Sequence, residues 1–362
     1  MKFIFGRELD LNELYDRKDE ISDILKSYKT RQPLAVTGYR RMGKSSILNA
    51  ARSILEKNDV LVVKFNIEGI TSVNDYSSRL LNALIDSISK RYRLKYYREE
   101  IKRKINLFLG GIEQIGIRFD NFEFILKRYN DYLDNRLKAS EIIENIIDMP
   151  EKFAEDLGTK MVLMIDEFQY IRMLKEPFPE ILRTMRSRFN EHKNVNYIIS
   201  GSETGILDEM LNNHDEPFYA FFKNIEIGPF NHDQSIDFLS AGFKDMNLTC
   251  DIETLEKIYI ITGGIPAWLN LAGIDLSWNK CSIDSFLQDP TYKNIINHEL
   301  SMLTRNELSL IKMLSSGKGF NEIKISNKYR VVKSLIRHGL VRKINNEYKI
   351  SDNLINYYLR IQ

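Results

Sequence analysis

The sequence predicts an α/β protein: a parallel sheet sandwiched by helices, followed by a smaller helical unit and a final basic unit. Three observations predict it. Short apolar, β-branched runs alternate with amphipathic helical stretches through the first 229 residues. A glycine-rich loop ending in Gly43-Lys44-Ser45 stands between the first such run and a helix. A later apolar run, 161–165, ends on two carboxylates, Asp166 and Glu167.

In chain order, residues 7–28 read as a helix because Leu14, Ile21, Ile24, Leu25 and Tyr28 share one helical face. Pro33 opens a buried strand over 34–37. A loop over 38–43 leads into a helix over 44–56. Residues 60–67 are β-branched and apolar, a second strand, and 74–92 form a crossover helix. Residues 90–136 read as an insertion on the sheet domain. Within it, 90–104 is basic and aromatic, Gly110-Gly111 interrupts, and 115–124 alternates like a hairpin around Asp120-Asn121. A helix over 140–157 ends at Gly158. Strands follow at 161–165, 195–200 and 224–228. After Pro229 the chain turns helical, over 232–246, 251–262 and 266–276. A linker containing Pro290 leads to 304–351, which reads as helix, short helix, helix and hairpin. The organisation is a core over 1–229, a helical lid over 230–290 and a last domain over 291–362.

A length of 362 residues suits two or three domains. With 43% apolar and 28% charged residues the chain has enough core and too little bias for disorder. No apolar stretch approaches the length of a membrane span, and the first residues do not read as a signal peptide. Cys250 and Cys281 fit neither a metal-ligand spacing nor a disulfide framework, so a reducing cytoplasm is the simplest location. The net charge of +2 conceals an asymmetry: residues 304–362 carry 12 Lys and Arg against 4 Asp and Glu. A basic tail on a mildly acidic body hints at nucleic acid.

Gly38-Tyr39-Arg40-Arg41-Met42-Gly43-Lys44-Ser45 matches G-x-x-x-x-G-K-[ST] in the required strand–loop–helix setting. Glycines let successive N–H groups turn inward, and with the helix N-terminus these cradle phosphate oxygens. Lys44 brings a cation to the β- and γ-phosphates, Ser45 offers a hydroxyl to Mg²⁺, and Ser46 faces the α-phosphate side. Asp166 fits the second Mg²⁺-holding role, and Glu167 the general base that polarises an attacking water. Adjacent carboxylates at the end of a buried strand need a cation or solvent to receive them. Gln169 is a further polar candidate. The strand at 195–200 runs into Ser200-Gly201-Ser202, where either serine is a candidate sensor of the γ-phosphate, and a plain Ser/Gly turn reads the same residues.

These residues together resemble the archaeal ATPase family of AAA+-related, STAND-type P-loop NTPases. The resemblance also draws on Phe5-Gly6-Arg7-Glu8, on Val162 through Gln169, on Ile227-Gly228-Pro229-Phe230, on Thr262-Gly263-Gly264-Ile265-Pro266 and on Tyr348 through Asp352. It implies ATP or ADP with Mg²⁺, a strand between the two motif-bearing strands, and a C-terminal winged helix. It further implies an adenine pocket made by Phe5, Gly6 and Arg7 with Pro266 from the lid. It also implies a nucleotide switch. Family members often carry an arginine before the fifth strand; here Glu216 through Lys223 lacks it, and Lys223 is a loose substitute. Arg183, Arg186 and Arg188 are compensating candidates, or a solvated helix face.

In the tail, Lys328, Arg330, Lys333 and Arg337 cluster on one side of a helix, and Arg342 and Lys343 sit on the following hairpin. A basic helix and wing suit duplex DNA; internal packing of the wing is the alternative. The expected function is a slow Mg-ATPase acting as a nucleotide-dependent switch, on DNA or as a nucleotide-dependent oligomer. The alternatives are a DNA-binding winged-helix protein with nucleotide as a structural ligand, and a scaffold recruiting a protein partner through 90–136. No membrane partner is expected.

Overall fold

The computed structural model describes residues 2–91, 136–175 and 180–361. The hairpin expected around Asp120-Asn121, and nearly all of the 90–136 insertion, lie outside the described residues. Five strands form one sheet: β1 Leu34–Thr37, β2 Leu61–Asn66, β3 Met161–Asp166, β4 Val195–Gly201 and β5 Lys223–Glu226. Their order is β2-β3-β4-β1-β5, and every pairing is parallel. A strand, β4, thus separates the glycine-loop strand from the acidic strand.

β1, β3 and β4 are buried along their whole length. That is why they read as continuous apolar runs rather than alternating ones. Their side chains still divide between two faces. On β3, Met161, Leu163 and Ile165 join one core while Val162 and Met164 join the other. Helices α3 (Val73–Arg91), α4 (Arg136–Asp156), α5 (Ile181–Glu191) and α6 (Thr204–Asn212) pack on the first face. Helices α1 (Lys18–Thr30) and α2 (Lys44–Lys57) pack on the second. Each fully buried leucine, isoleucine or phenylalanine in these layers contributes about 1.5–3 kcal/mol.

The second core does not stop at the sheet. It runs into α7 (His232–Asp245), α8 (Ile252–Thr262) and α9 (Pro266–Trp278), where Trp268 and Leu269 are fully buried. Asn231 and Gln234 form a capping box on α7, and Asp251 caps α8. The remaining elements are α10 (Ile283–Gln288), α11 (Pro290–Ser301), α12 (Arg305–Ser315), α13 (Lys328–Arg337), the antiparallel pair β6 (Val341–Ile344) and β7 (Glu347–Ile350), and α14 (Asn353–Ile361). A small core of Leu310, Ile323, Val332, Leu335 and Val341 holds α12, α13 and the hairpin together. α14 returns to the larger core through Leu354, Ile355, Tyr358 and Leu359.

Four expectations change. α1 begins at Lys18 rather than residue 7, because Asp16 and Arg17 both take left-handed backbone angles and residues 2–17 run as irregular chain. The linker around Pro290 is helical: Asp289 caps α11 and Pro290 takes its first position, where a missing N–H costs nothing. The final helix α14 lies beyond the hairpin that ended the sequence reading. Cys250 and Cys281 are joined as a disulfide with Cα atoms 5.5 Å apart, although neither spacing nor composition suggested one. The bridge brackets α8 and α9, whose ends fold side by side. Among the described residues, no helix is long and apolar enough to cross a membrane.

Candidate nucleotide site

The sheet register aligns four strand ends. Thr37 of β1 pairs with Gly201 of β4, and Asn66 of β2 pairs with Asp166 of β3. The glycine loop, the two carboxylates and the serine turn therefore emerge together at the carboxyl edge of the sheet, where open parallel sheets place their ligands. A cavity of about 480 Å³ opens there. The glycine loop, the Phe5-Gly6-Arg7 segment, Glu167, Ser202 and Pro266 at the start of α9 all line it.

Lys44 is buried, and its Nζ donates to the carbonyl oxygens of Gly38 (2.8 Å) and Tyr39 (2.9 Å). Burial pushes its ammonium down to about 8, against the pull of Glu167 and Asp166, which hold it up. Ser45 Oγ donates to Asp166 Oδ2 at 2.8 Å. A hydroxyl and a carboxylate this close form the kind of hard oxygen pair that suits Mg²⁺. Ser46 Oγ accepts the Leu9 N–H at 3.0 Å, tying the N-terminal segment to α2.

The serine alternatives separate. Ser200 is fully buried and its hydroxyl donates to Asp166. Ser202 meets Glu167 instead: its N–H and hydroxyl both reach Glu167 Oε2, at 3.1 and 2.9 Å. Gln169 Nε2 donates to the same oxygen. Glu167 sits at φ 57°, a left-handed angle that costs a glutamate about 1–2 kcal/mol. Three hydrogen bonds to one carboxylate oxygen hold it there.

Arg41, expected among the nucleotide-binding residues of the loop, lines the cavity while its guanidinium engages the C-terminal residues. Its guanidinium pairs with Glu299 of α11 at 2.6 Å and Asp352 before α14 at 3.2 Å, and lies 4.4 Å over the Trp268 ring of α9. Trp268 Nε1 donates to Asp352 at 2.8 Å. Burial pushes the Asp352 carboxyl up, and Arg41 and Trp268 pull it back. Arg40 also lines the cavity, held by two long ion pairs to Glu203 and Glu299, 3.6 and 3.7 Å. Arg7 lines the cavity while its guanidinium forks onto Glu13 at 2.6 and 2.8 Å.

Two loop residues turn away. Met42 is buried in the core and Tyr39 packs toward Gly339. Sequence reasoning missed Asn270, which lines the cavity and whose Oδ1 accepts the Ile4 N–H at 2.7 Å. Nothing in an apolar helix marks one asparagine as a clasp for a segment over 260 residues away.

The stand-ins for the missing arginine are elsewhere. Lys223 pairs with Leu34 at the far end of β1 from the glycine loop. Arg183 pairs with Glu180, Arg186 lies over the Phe221 ring, and Arg188 binds Asp148. In the tail, Arg330 and Lys333 are exposed. Lys328 Nζ donates to the Phe320 carbonyl at 3.2 Å, and Arg337 forks onto Glu209 of α6 at 2.8 and 3.0 Å. The basic face of α13 is therefore divided between solvent and the sheet domain.

A family model for ATPase domains predominantly from Archaea matches residues 14–271. No curated protein matches the sequence. Among solved structures, a Walker-type ATPase of Pyrococcus abyssi superposes with a TM-score of 0.73 at 19% identity, over 99% of this chain and 100% of that one. The ORC2 protein of Aeropyrum pernix, in ADPNP–ADP complexes, gives 0.46 at 12% identity over 99% and 96%. RuvB of Thermotoga maritima gives 0.47 at 12% over 99% and 98%. The sheet order, the glycine loop at its carboxyl edge and the matched span lead to one conclusion: the chain belongs to the family of ATPase domains found predominantly in Archaea.

Proposed function

We propose that the chain hydrolyses Mg-ATP slowly and uses the nucleotide to switch the position of its C-terminal units relative to the sheet domain. The reading of 230–290 as a lid and 291–362 as a winged-helix domain belongs to this proposal. Bound Mg²⁺ supplies charge neutralisation on the phosphates. Ser45 and Asp166 are the residues that hold it. Lys44 moves from two backbone carbonyls to the phosphate oxygens. Glu167 orients and deprotonates the attacking water, once the donors from Ser202 and Gln169 let its carboxylate turn toward the cavity. Ser202 reads the γ-phosphate. Phe5, Gly6, Arg7 and Pro266 surround the base.

Slow turnover follows from the engagement of Arg183, Arg186 and Arg188 with other partners and from the position of Lys223. Arg40 is the cavity-lining cation whose long ion pairs leave it freest to approach the phosphates.

One observation carries the switch: Arg41, inside the phosphate loop, bridges Glu299, Asp352 and Trp268 in a single cluster. A loop that adjusts to the γ-phosphate then has different contacts with the C-terminal units in each state. Such differential binding is what shifts a population. The test is energy transfer between labels placed at Lys57 and Lys324, both exposed. Transfer should differ between ADP and a non-hydrolysable ATP analogue, and Arg41→Ala should erase the difference. Equal transfer in both nucleotides refutes the switch. Separately, Glu167→Gln should keep ATP affinity and lower turnover by roughly 10²–10⁴; undiminished turnover removes Glu167 as the base.

Duplex DNA is a second reading, favoured by the exposed Arg330 and Lys333 on α13. It predicts that Arg330→Glu with Lys333→Glu weakens duplex binding.

A further inference from the structure

A second cavity, about 780 Å³, lies between the 317–322 turn, the β6–β7 hairpin and α14. Its walls combine three kinds of group. Phe320, Tyr329 and Tyr348 form an aromatic cluster, with Phe320 5.4 Å from Tyr329 and 4.4 Å from Tyr348. Tyr329 is 66% exposed, so its ring is open to a ligand in the cavity. Lysines and arginines, Lys343 and Arg342 among them, outnumber acids on the lining, and Lys343 Nζ stands 5.8 Å from the Tyr348 ring. Arg342 Nε is buried and has no hydrogen-bond partner among the described residues, so an acceptor there would relieve a standing cost. Asparagine amides complete the wall.

Rings, amides and cations around one cavity match a nucleobase joined to phosphate: the rings stack on the base, the amides meet its edge, and the cations meet the phosphate. A duplex keeps its bases stacked inside and offers this cavity no ring face. We propose that this cavity binds single-stranded nucleic acid, taking one or two unpaired bases against Tyr329, Phe320 and Tyr348 with Arg342 and Lys343 on the backbone. The inference does not rest on the ATPase reading, because the cavity shares no residue with the nucleotide site.

The test is fluorescence anisotropy on the full chain, with saturating Mg-ADP and a labelled mixed-sequence 12-mer as single strand and as duplex. The single strand should bind more tightly than the duplex, and binding should weaken as salt rises. Tyr329→Ala should weaken it roughly tenfold, Tyr329→Phe should not, and Lys343→Glu should weaken it further. Both positions are exposed, so the variants should fold, which circular dichroism checks. Duplex binding equal to or tighter than single-strand binding overturns the proposal, as does insensitivity to Tyr329→Ala. Thymidine 5′-monophosphate separates the sources of the chemistry. If it binds as tightly as the strand and loses affinity in Tyr329→Ala, the ligand is a free nucleotide and the strand assignment fails. ATP turnover of Tyr329→Ala without nucleic acid should equal that of the unaltered protein, whichever way the strand result falls.

Discussion

Lys44 shows how one side chain carries both a structural cost and a functional purpose. It is held among two carbonyls at the start of α2, with its ammonium pushed down to about 8 by burial. In the proposed site the cation meets phosphate, so ATP affinity of the free protein should fall as pH rises through about 8. Isothermal titration across that range checks it. Lys44→Arg, which stays charged, should flatten the dependence even where it weakens binding; a flat profile in the unaltered protein would contradict the assignment. Glu167 and Ser202 illustrate the reverse case. The sequence marks both as candidates, and only the structure shows the carboxylate at a left-handed backbone angle, held by Ser202.

Elements depend on residues that no side chain can replace. The turn between α8 and α9 passes through Gly264 at φ 73°, and a Cβ there would lie 2.0 Å from the Phe230 carbonyl oxygen. Gly264 also accepts the Phe230 N–H at 2.9 Å, so the turn cannot move away without losing that bond. Gly264→Ala should destabilise the protein by more than about 2 kcal/mol and displace Pro266 from the cavity. Urea denaturation measures the first effect and ATP affinity the second. The α6 helix is constrained in a similar way. A Cβ at Gly205 would lie 2.5 Å from the Ile336 carbonyl oxygen, which is how closely α13 approaches the sheet domain.

Across the whole molecule, the C-terminal unit is fastened to the sheet domain by ion pairs as well as by the apolar core that α14 joins. Arg337 pairs with Glu209, Arg41 with Glu299 and Asp352, and His338 Nδ1 lies 3.6 Å from Glu203. His338 is raised above its usual value, first by the Glu203 carboxylate, with burial opposing, Glu307 adding and Arg40 subtracting. A raised value means its contribution is complete below about 6.5 and is lost as pH rises through the folded value. Attachment of the C-terminal unit should therefore loosen as pH rises above about 6.5. Energy transfer between the labels at Lys57 and Lys324 should report it, and His338→Gln should abolish the pH dependence. A dependence that survives in His338→Gln assigns the titration to another group.

The strand between the two motif-bearing strands came only from the family resemblance; the sequence by itself determined the α/β architecture and the phosphate loop. These are local or periodic features: fully apolar strands, glycine spacing and carboxylates at a strand end. It also named most of the cavity lining, the phosphate-loop and strand-end residues from their motifs and Phe5, Gly6, Arg7 and Pro266 through the family resemblance. The tertiary structure alone decided the rest. Ser200 reaches Asp166 while Ser202 reaches Glu167, because Ser200 lies within β4 and Ser202 lies just past its end. Arg41 bridges to Asp352 across 311 residues, and Arg337 is engaged by Glu209 rather than left free. The Cys250–Cys281 bridge depends on two helices folding side by side. Such contacts join residues far apart in the chain, and their partners follow from packing, which no local pattern encodes.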